Sequence, residues 1–495
     1  MKISSKHTLA SILLMTMLLT VSCSGGSQTG NNDGTEGTSD STEVTTAELH
    51  SELPERNFDG KDFRIICWFR GEGHIHNFFE YDAEEQNGEL LNDTIYSRNR
   101  AVEERFGINI SASGSETPAA DAYKLTLAGD TGFNVVADRP VVNANYSTQG
   151  AFTRFDKLPY VDLTKPWWNM NAGEYFRIDD KLYFMTGDYV LYEKQRLPAM
   201  MVNLSMAEDY EIEDLYAAVD EGRWTVDLMN TYAALVKGDI YGDGTMDYHN
   251  DRFGLLMGSY TYIPFLLFGM ENTYTKKEND GSFTLNVTSE RMLDSISRLG
   301  KTLFTDTTTY GEIITNNWTD GASPRYVFEE GRALFYNEVL SIVRTLDTNI
   351  RYGVLPLPKY DEAQKRYLST VQNSNSGSIA IPASLSDEDA EFTGLILEAL
   401  ADLSHYTTLP AFIDGVMQTK KAPDEESVRV LQTLFSSENI VYDTFAIFEI
   451  GDLNNIVWNN LYSNRGENFV STIDGKKESV MKSYQKVVEA YEKLG

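Results

Sequence analysis

Few of the 495 residues stand in a spacing that performs chemistry by itself. His74 and His76 form a His-x-His pair whose imidazoles share one side of an extended segment. A metal needs a third and fourth ligand of suitable geometry, so the pair reads as polar cleft-edge histidines. Asp239, Asp243, Thr245 and Asp247 follow the spacing of a calcium-binding loop, with Gly244 at the sixth position for the turn. Tyr241 stands at the third position, where an oxygen ligand belongs, and Asn250 at the twelfth with Asp251 one residue late. The competing reading of 239–251 is a plain Asp/Gly turn between a helix and a strand. Cys67 lies in an apolar run and reads as an inert buried thiol. No Gly-x-Ser-x-Gly elbow, phosphate-binding P-loop, His-Glu-x-x-His or Cys-x-x-Cys is present, so no catalytic residue is assigned.

Charge narrows the partners. The chain carries 74 acidic against 42 basic residues, a net charge of -32. Nucleic acid and anionic membrane surface are repelled, because neutralising phosphates takes a basic footprint. Two cysteines exclude a disulfide scaffold. The mean hydropathy of -0.35 excludes a polytopic membrane protein, in which each span takes about 20 apolar residues.

The first 22 residues read as a signal peptide. Lys2 and Lys6 form a positive start, an apolar run follows from Leu9 to Val21, and Ser22-Cys23 closes it. Cys23 directly after Val-Ser resembles the bacterial lipobox, with Thr20 in place of the usual Leu three residues earlier. That resemblance implies cleavage before Cys23 and acylation of it, and two or more acyl chains anchor stably. Residues 23–53 hold almost nothing apolar beyond the lipidated Cys and read as a flexible tether.

From about residue 54, short apolar strands alternate with helical patterns, which predicts an α/β fold with largely parallel sheets. Phe63–Phe69, Ile108–Ile110 and Phe133–Ala137 read as strands. Leu91, Ile95, Val102 and Phe106 share one helical face that Gly107 ends. Thr225 is the expected N-cap of a helix through Val236, and Ser386 with Asp389 resembles a capping box.

The order of these pieces resembles the extracellular solute-binding lipoproteins of ABC importers, in the broad group that includes maltose-binding protein. The stretch Leu90–Ile108 resembles that family's first helix and the entry to its second strand, and Phe133–Asp138 the strand that ends at the ligand cleft. Lys181–Asp188 is similar to the strand leading to the first crossover. Gly222–Asp227, Phe328–Phe335, Tyr352–Asp361 and Ile379–Pro382 match later steps. The resemblance implies a two-lobed type 2 periplasmic-binding-protein-like fold with a hinge and an interlobe cleft. Lobe 1 is expected over 54–192 plus 366–420, and lobe 2 over 193–365 plus 421–495.

It also implies a monomeric receptor outside the cytoplasm, held to the membrane by its lipid alone. Such a receptor binds a small solute without altering it, uses no cofactor beyond a structural calcium, and delivers its cargo to the permease subunits. With 28 Tyr, 24 Phe and 6 Trp, a carbohydrate is the expected solute, because sugar rings stack on aromatic planes and pair hydroxyls with polar side chains. Strand ends and crossovers place Trp68, Asp138, Arg139, Trp168, Asp188, Tyr260, Tyr262, Asn337 and Glu338 at the cleft. Trp458 joins them where carbohydrate-binding relatives carry an aromatic platform. A lipid-anchored glycoside hydrolase and a peptide receptor are the alternative readings.

Overall fold

Two five-stranded sheets organise the chain, here seen in a computed structural model. It describes residues 48–72, 77–78, 80–304, 309–311, 323–343, 345–347, 349–418 and 425–494. The expectations for the signal peptide, Cys23, most of the tether, His74 and His76 lie outside these residues.

The strands in chain order are β1 Lys61–Trp68, β2 Ile108–Ser115, β3 Val135–Asp138, β4 Phe184–Met185, β5 Pro198–Asn203 and β6 Phe253–Met257. Then follow β7 Thr275–Lys277, β8 Phe283–Leu285, β9 Thr309–Gly311, β10 Ala333–Val339, β11 Tyr352–Leu355 and β12 Ser378–Ala380. The first sheet has the order β2-β1-β3-β12-β4 and the second β11-β5-β10-β6-β9, while β7 and β8 pair as a hairpin.

Neither sheet is wholly parallel. β12 runs antiparallel to β3 and β4, and β5 runs antiparallel to β10 and β11. The reason lies in the crossings. The chain leaves the first sheet at the end of β4 and enters the second through β5; it returns from β11 into β12. Each entering strand starts at the edge where its neighbours end, so it must run against them. The same argument brings the ends of β1, β3 and β4 to face those of β6, β10 and β11 across the crossings.

Local sequence explains the flanking helices. Leu90–Phe106 buries Leu91, Ile95, Val102 and Phe106 on one stripe, and Gly107 ends it at φ 62°, where a side chain would be strained. Thr225 caps Val226–Val236 by accepting the Leu228 N–H. Ser386 accepts the Asp389 N–H at 3.1 Å and donates to its carboxylate at 2.7 Å. The helix they start, Asp387–Leu403, packs Phe392 edge-on against Phe58 and Phe63.

The C-terminal helices bridge the halves. Leu409–Gln418 packs against Leu90–Phe106, whereas Glu425–Phe435 packs against β11. The last helix, Lys477–Glu492, brings Tyr491 back to the first sheet's surroundings. There its hydroxyl meets Ser147 at 2.8 Å, its carbonyl accepts from Lys181 at 2.7 Å, and its ring packs on Tyr183.

Candidate functional site

The site is built at the strand ends. Trp68 closes β1 and is buried, with its edge against Phe78 at 5.6 Å. Asp138 and Arg139 close β3. Asp138 is fully buried and accepts the Arg139 N–H at 2.7 Å, its Nε at 3.2 Å and the Ala119 N–H at 3.3 Å. Burial raises the Asp138 carboxyl above the ordinary carboxylate range, outweighing the neighbouring guanidinium. Arg139 then lies over Trp68, its central carbon 4.3 Å from the ring centroid.

The first crossing continues this surface. Phe78 packs on Tyr192 at 4.5 Å, and the Tyr192 hydroxyl donates to Asn375 Oδ1 at 3.1 Å on the second crossing. Arg196, the last residue before Leu197 and β5, donates from Nε to the Asn375 carbonyl at 3.2 Å and from Nη1 to Ser341 Oγ at 3.1 Å. The crossings thus tie to each other at the two residues that face the cleft.

The second sheet contributes the far wall. Tyr262 lies in the turn after β6, is buried, and hydrogen-bonds both Arg196 and Glu338. Glu338 also accepts from the Tyr336 hydroxyl at 3.1 Å and the Val339 N–H at 2.8 Å. Burial pushes its carboxyl up against these donors and the charge of Arg196. Gly258 is required here, since a Cβ would collide with the Glu338 carboxylate. Asn337 donates to the Ala199 carbonyl at 3.4 Å, while its buried Oδ1 has no partner among the described residues. For Tyr260 the backbone turn Tyr260–Tyr262 is described and the side chain is not. The helix carrying Trp458, Leu453–Asn464, packs against that turn. The Trp458 indole is half-buried and donates to Asn455 Oδ1 at 2.7 Å.

Trp168 and Asp188, also expected at the cleft, line a cavity of about 440 Å³ with Lys194 and His405. Asp188 meets His405 Nδ1 at 2.6 Å and Lys194 Nζ at 3.5 Å. Lys194 also pairs with Glu193 at 3.1 Å, and Glu193 accepts from the Tyr442 hydroxyl. Burial pulls the Lys194 ammonium down, but the two carboxylates outweigh it and hold it above its usual value. In the turn Leu191–Gln195, Tyr192 and Lys194 lie two helical residues apart and so point to opposite sides. Trp168 donates to Glu398 Oε2 at 2.8 Å, and Trp167 to its Oε1 at 3.1 Å.

The acidic loop folds around its own backbone. Asp239 accepts from Gly242 and Gly244 N–H, Asp243 from Thr245, and Asp247 from His249. Asp251 accepts from Ile240 and Asp247. No three His, Cys, Asp or Glu side chains among the described residues gather into a metal-holding group.

Sequence reasoning missed Tyr192, Arg196 and Asn375, which carry the two crossings. It also missed Glu449, an exposed residue held at φ 48° and paired with the Asn373 side chain. Non-glycine residues in that region are strained and cluster at functional sites. The single signal in the sequence was an Arg between two apolar runs, Gln195-Arg196-Leu197-Pro198.

A scan of family models and a search of curated proteins returned no match. Solved structures do match. UgpB from Mycobacterium tuberculosis in complex with glycerophosphocholine has a TM-score of 0.55 at 14% identity, covering 86% of this chain and 99% of that one. UspC from M. tuberculosis gives 0.53 at 13%, covering 85% and 100%. A cyclo/maltodextrin-binding protein complexed with maltotetraose gives 0.51 at 15%, covering 88% and 98%. The chain has the two-lobed α/β fold of the solute-binding proteins of ABC importers, of the maltose-binding type.

Proposed function

We propose that this protein is the extracytoplasmic solute receptor of an ABC importer, closing its two halves on a carbohydrate. The observation that carries the reading is the joining of both sheets' strand ends through Tyr192, Arg196 and Asn375. A surface built of Trp68, Arg139, Tyr192 and Tyr262 lies on either side of two crossings that bend as a hinge. Complexes of similar fold hold maltotetraose and glycerophosphocholine, which supports a polyhydroxylated solute. Differential affinity for the closed arrangement supplies the free energy of closure.

Turnover is not part of this reading. A glycosidase needs two opposed carboxylates with free oxygens. Asp138 and Glu338 are the acids at these strand ends, and both are committed to protein donors. The remaining features complete the proposal. Acylation of Cys23 holds the protein to the membrane, the tether to about residue 53 spaces it off the surface, and a monomer docks on permease subunits. No helix among the described residues is long and apolar enough to cross a membrane. The lobes are assigned to 54–192 plus 366–420 and 193–365 plus 421–495. Loop 239–251 is a structural turn, and its melting temperature after chelation should stay unmoved by calcium.

The test is a thermal-shift panel of mono- and oligosaccharides, amino acids and peptides on the chain without its leader. A saccharide should raise the melting temperature and be recovered intact, with no new reducing ends. Stabilisation by peptides alone would contradict the reading.

A further inference from the structure

Arg196 is a buried cation with no ion pair among the described residues. It is 4% exposed, and among the described residues no carboxylate oxygen lies within 4.0 Å of its nitrogens. Its hydrogen bonds go to neutral oxygens: the Asn375 carbonyl, Ser341 Oγ and the Tyr262 hydroxyl. Buried charges are otherwise paired, because removing an ion from water costs several kcal/mol. The nearby acid, Glu338, is pushed toward its neutral form by burial and is taken up by Tyr262, Tyr336 and the Val339 N–H.

A second guanidinium, Arg139, stands at the end of β3 and connects to Arg196 through Trp68, Phe78, Tyr192 and Asn375. Arg139 spends its Nε on Asp138, while Nη1 and Nη2 have no partner among the described residues. Its side chain keeps 25% of its exposure and lies over Trp68. A planar fork with both outer nitrogens unused matches an oxyanion in bidentate geometry. The phenol of Tyr192 feels the charge of both Arg196 and Arg139. The other carboxylates around this surface are occupied. Asp138 is buried under Arg139, Glu80 accepts the Tyr192 N–H at 2.9 Å, and Glu449 bonds Asn373.

We propose that Arg196 and Arg139 form an oxyanion subsite in the cleft, so that the solute is an acidic saccharide bearing a carboxylate or a phosphate ester. The inference rests on the reading of the cleft as a solute site and adds the charge of its ligand. It runs against the net charge of -32, which would repel anions at a distance. At contact range two buried or stacked guanidiniums outweigh distant surface carboxylates, because screening cuts off the latter beyond about 8–10 Å.

The test uses the mature chain and inorganic phosphate as probe, at ionic strength matched with sodium chloride. Phosphate should raise the melting temperature where chloride does not, and Arg196→Met and Arg139→Met should each lose that rise. Wild-type protein indifferent to phosphate would overturn the subsite, whatever the folding of the variants; so would a rise that both variants keep. A second arm compares trigalacturonate with its methyl ester, and glucose 6-phosphate with glucose. At least one acidic member should bind about tenfold or more tighter than its neutral partner. Neutral members binding equally well would overturn the inference and leave the carbohydrate reading intact. A phosphate rise lost in both variants, with no saccharide bound, would support the subsite and remove the carbohydrate reading.

Discussion

Arg139 covers the face of Trp68 at 4.3 Å, so the ring that ends β1 is a support for a guanidinium and not an open platform for a sugar. Trp68 is 5% exposed, with Phe78 against its edge. Trp68→Ala should therefore cost about 3–5 kcal/mol of stability in urea, as removal of a buried aromatic does. It should also weaken solute binding by displacing Arg139. A double-mutant cycle of Trp68→Phe and Arg139→Ala, read in binding, should show a coupling of about 0.5–1 kcal/mol. Zero coupling would detach Trp68 from the site.

Glu398 gives the protein a distinctive pH response. Burial pushes its carboxyl up to about 7, although the indole N–H groups of Trp168 and Trp167 pull it down. In the unfolded chain it ionises near 4.5. Below that value both states hold the proton and the contribution to stability is complete. Between about 4.5 and 7 the unfolded chain releases its proton first, so stability falls as pH rises, by about 3 kcal/mol in total. The difference in unfolding free energy between wild type and Glu398→Gln, measured from pH 4.5 to 8, should carry this slope. A difference independent of pH would contradict it.

Lys194 neutralises two buried carboxylates, Glu193 at 3.1 Å and Asp188 at 3.5 Å. Lys194→Met removes the cation they share, leaving Glu193 with the Tyr442 hydroxyl and Asp188 with His405, and should destabilise the fold by about 3–5 kcal/mol. Lys124→Ala, at a pair whose lysine is 72% exposed, should change it by no more than about 1 kcal/mol. Equal effects in denaturant melts would refute the distinction.

Much of the fold was legible because periodicity and caps act locally. The stripe from Leu91 to Phe106 with Gly107, the Thr225 cap and the Ser386–Asp389 pair form as their spacing implies. Strand direction was not legible. β5 and β12 run against their neighbours because of where the chain crosses, which is a property of the whole topology. The site was legible in part for the same reason. Strand ends were readable as the places of Trp68, Asp138, Arg139, Asn337 and Glu338, and the turn after β6 as that of Tyr262. The cavity that Trp168 and Asp188 line with Lys194 and His405 joins residues far apart in the chain, which no spacing relates. Arg196 carried no motif; its weight comes from being buried with no carboxylate paired to it among the described residues.

Cys67 should be silent toward thiol reagents. Burial, together with the charges of Glu80 and Asp82, pushes its thiol up to about 12, and it donates to the Phe78 carbonyl. A disulfide-exchange reagent should modify it only after unfolding, with Cys23 replaced by Ser. Rapid reaction in the native protein would show that β1 opens.

That inertness permits the most direct test of the hinge. Leu127 is 71% exposed on the helix Pro118–Ala128, which packs on β3; Tyr326 is 54% exposed on Pro324–Glu329, which packs on β10. Spin labels at Leu127→Cys and Tyr326→Cys, in a chain carrying Cys23→Ser, report the separation of the two halves by pulsed electron resonance. With the tightest-binding saccharide of the panel at saturation, the distances should collapse to a single shorter population and the sugar should be recovered unchanged. An identical distance distribution with and without bound saccharide would contradict closure of two halves on a solute.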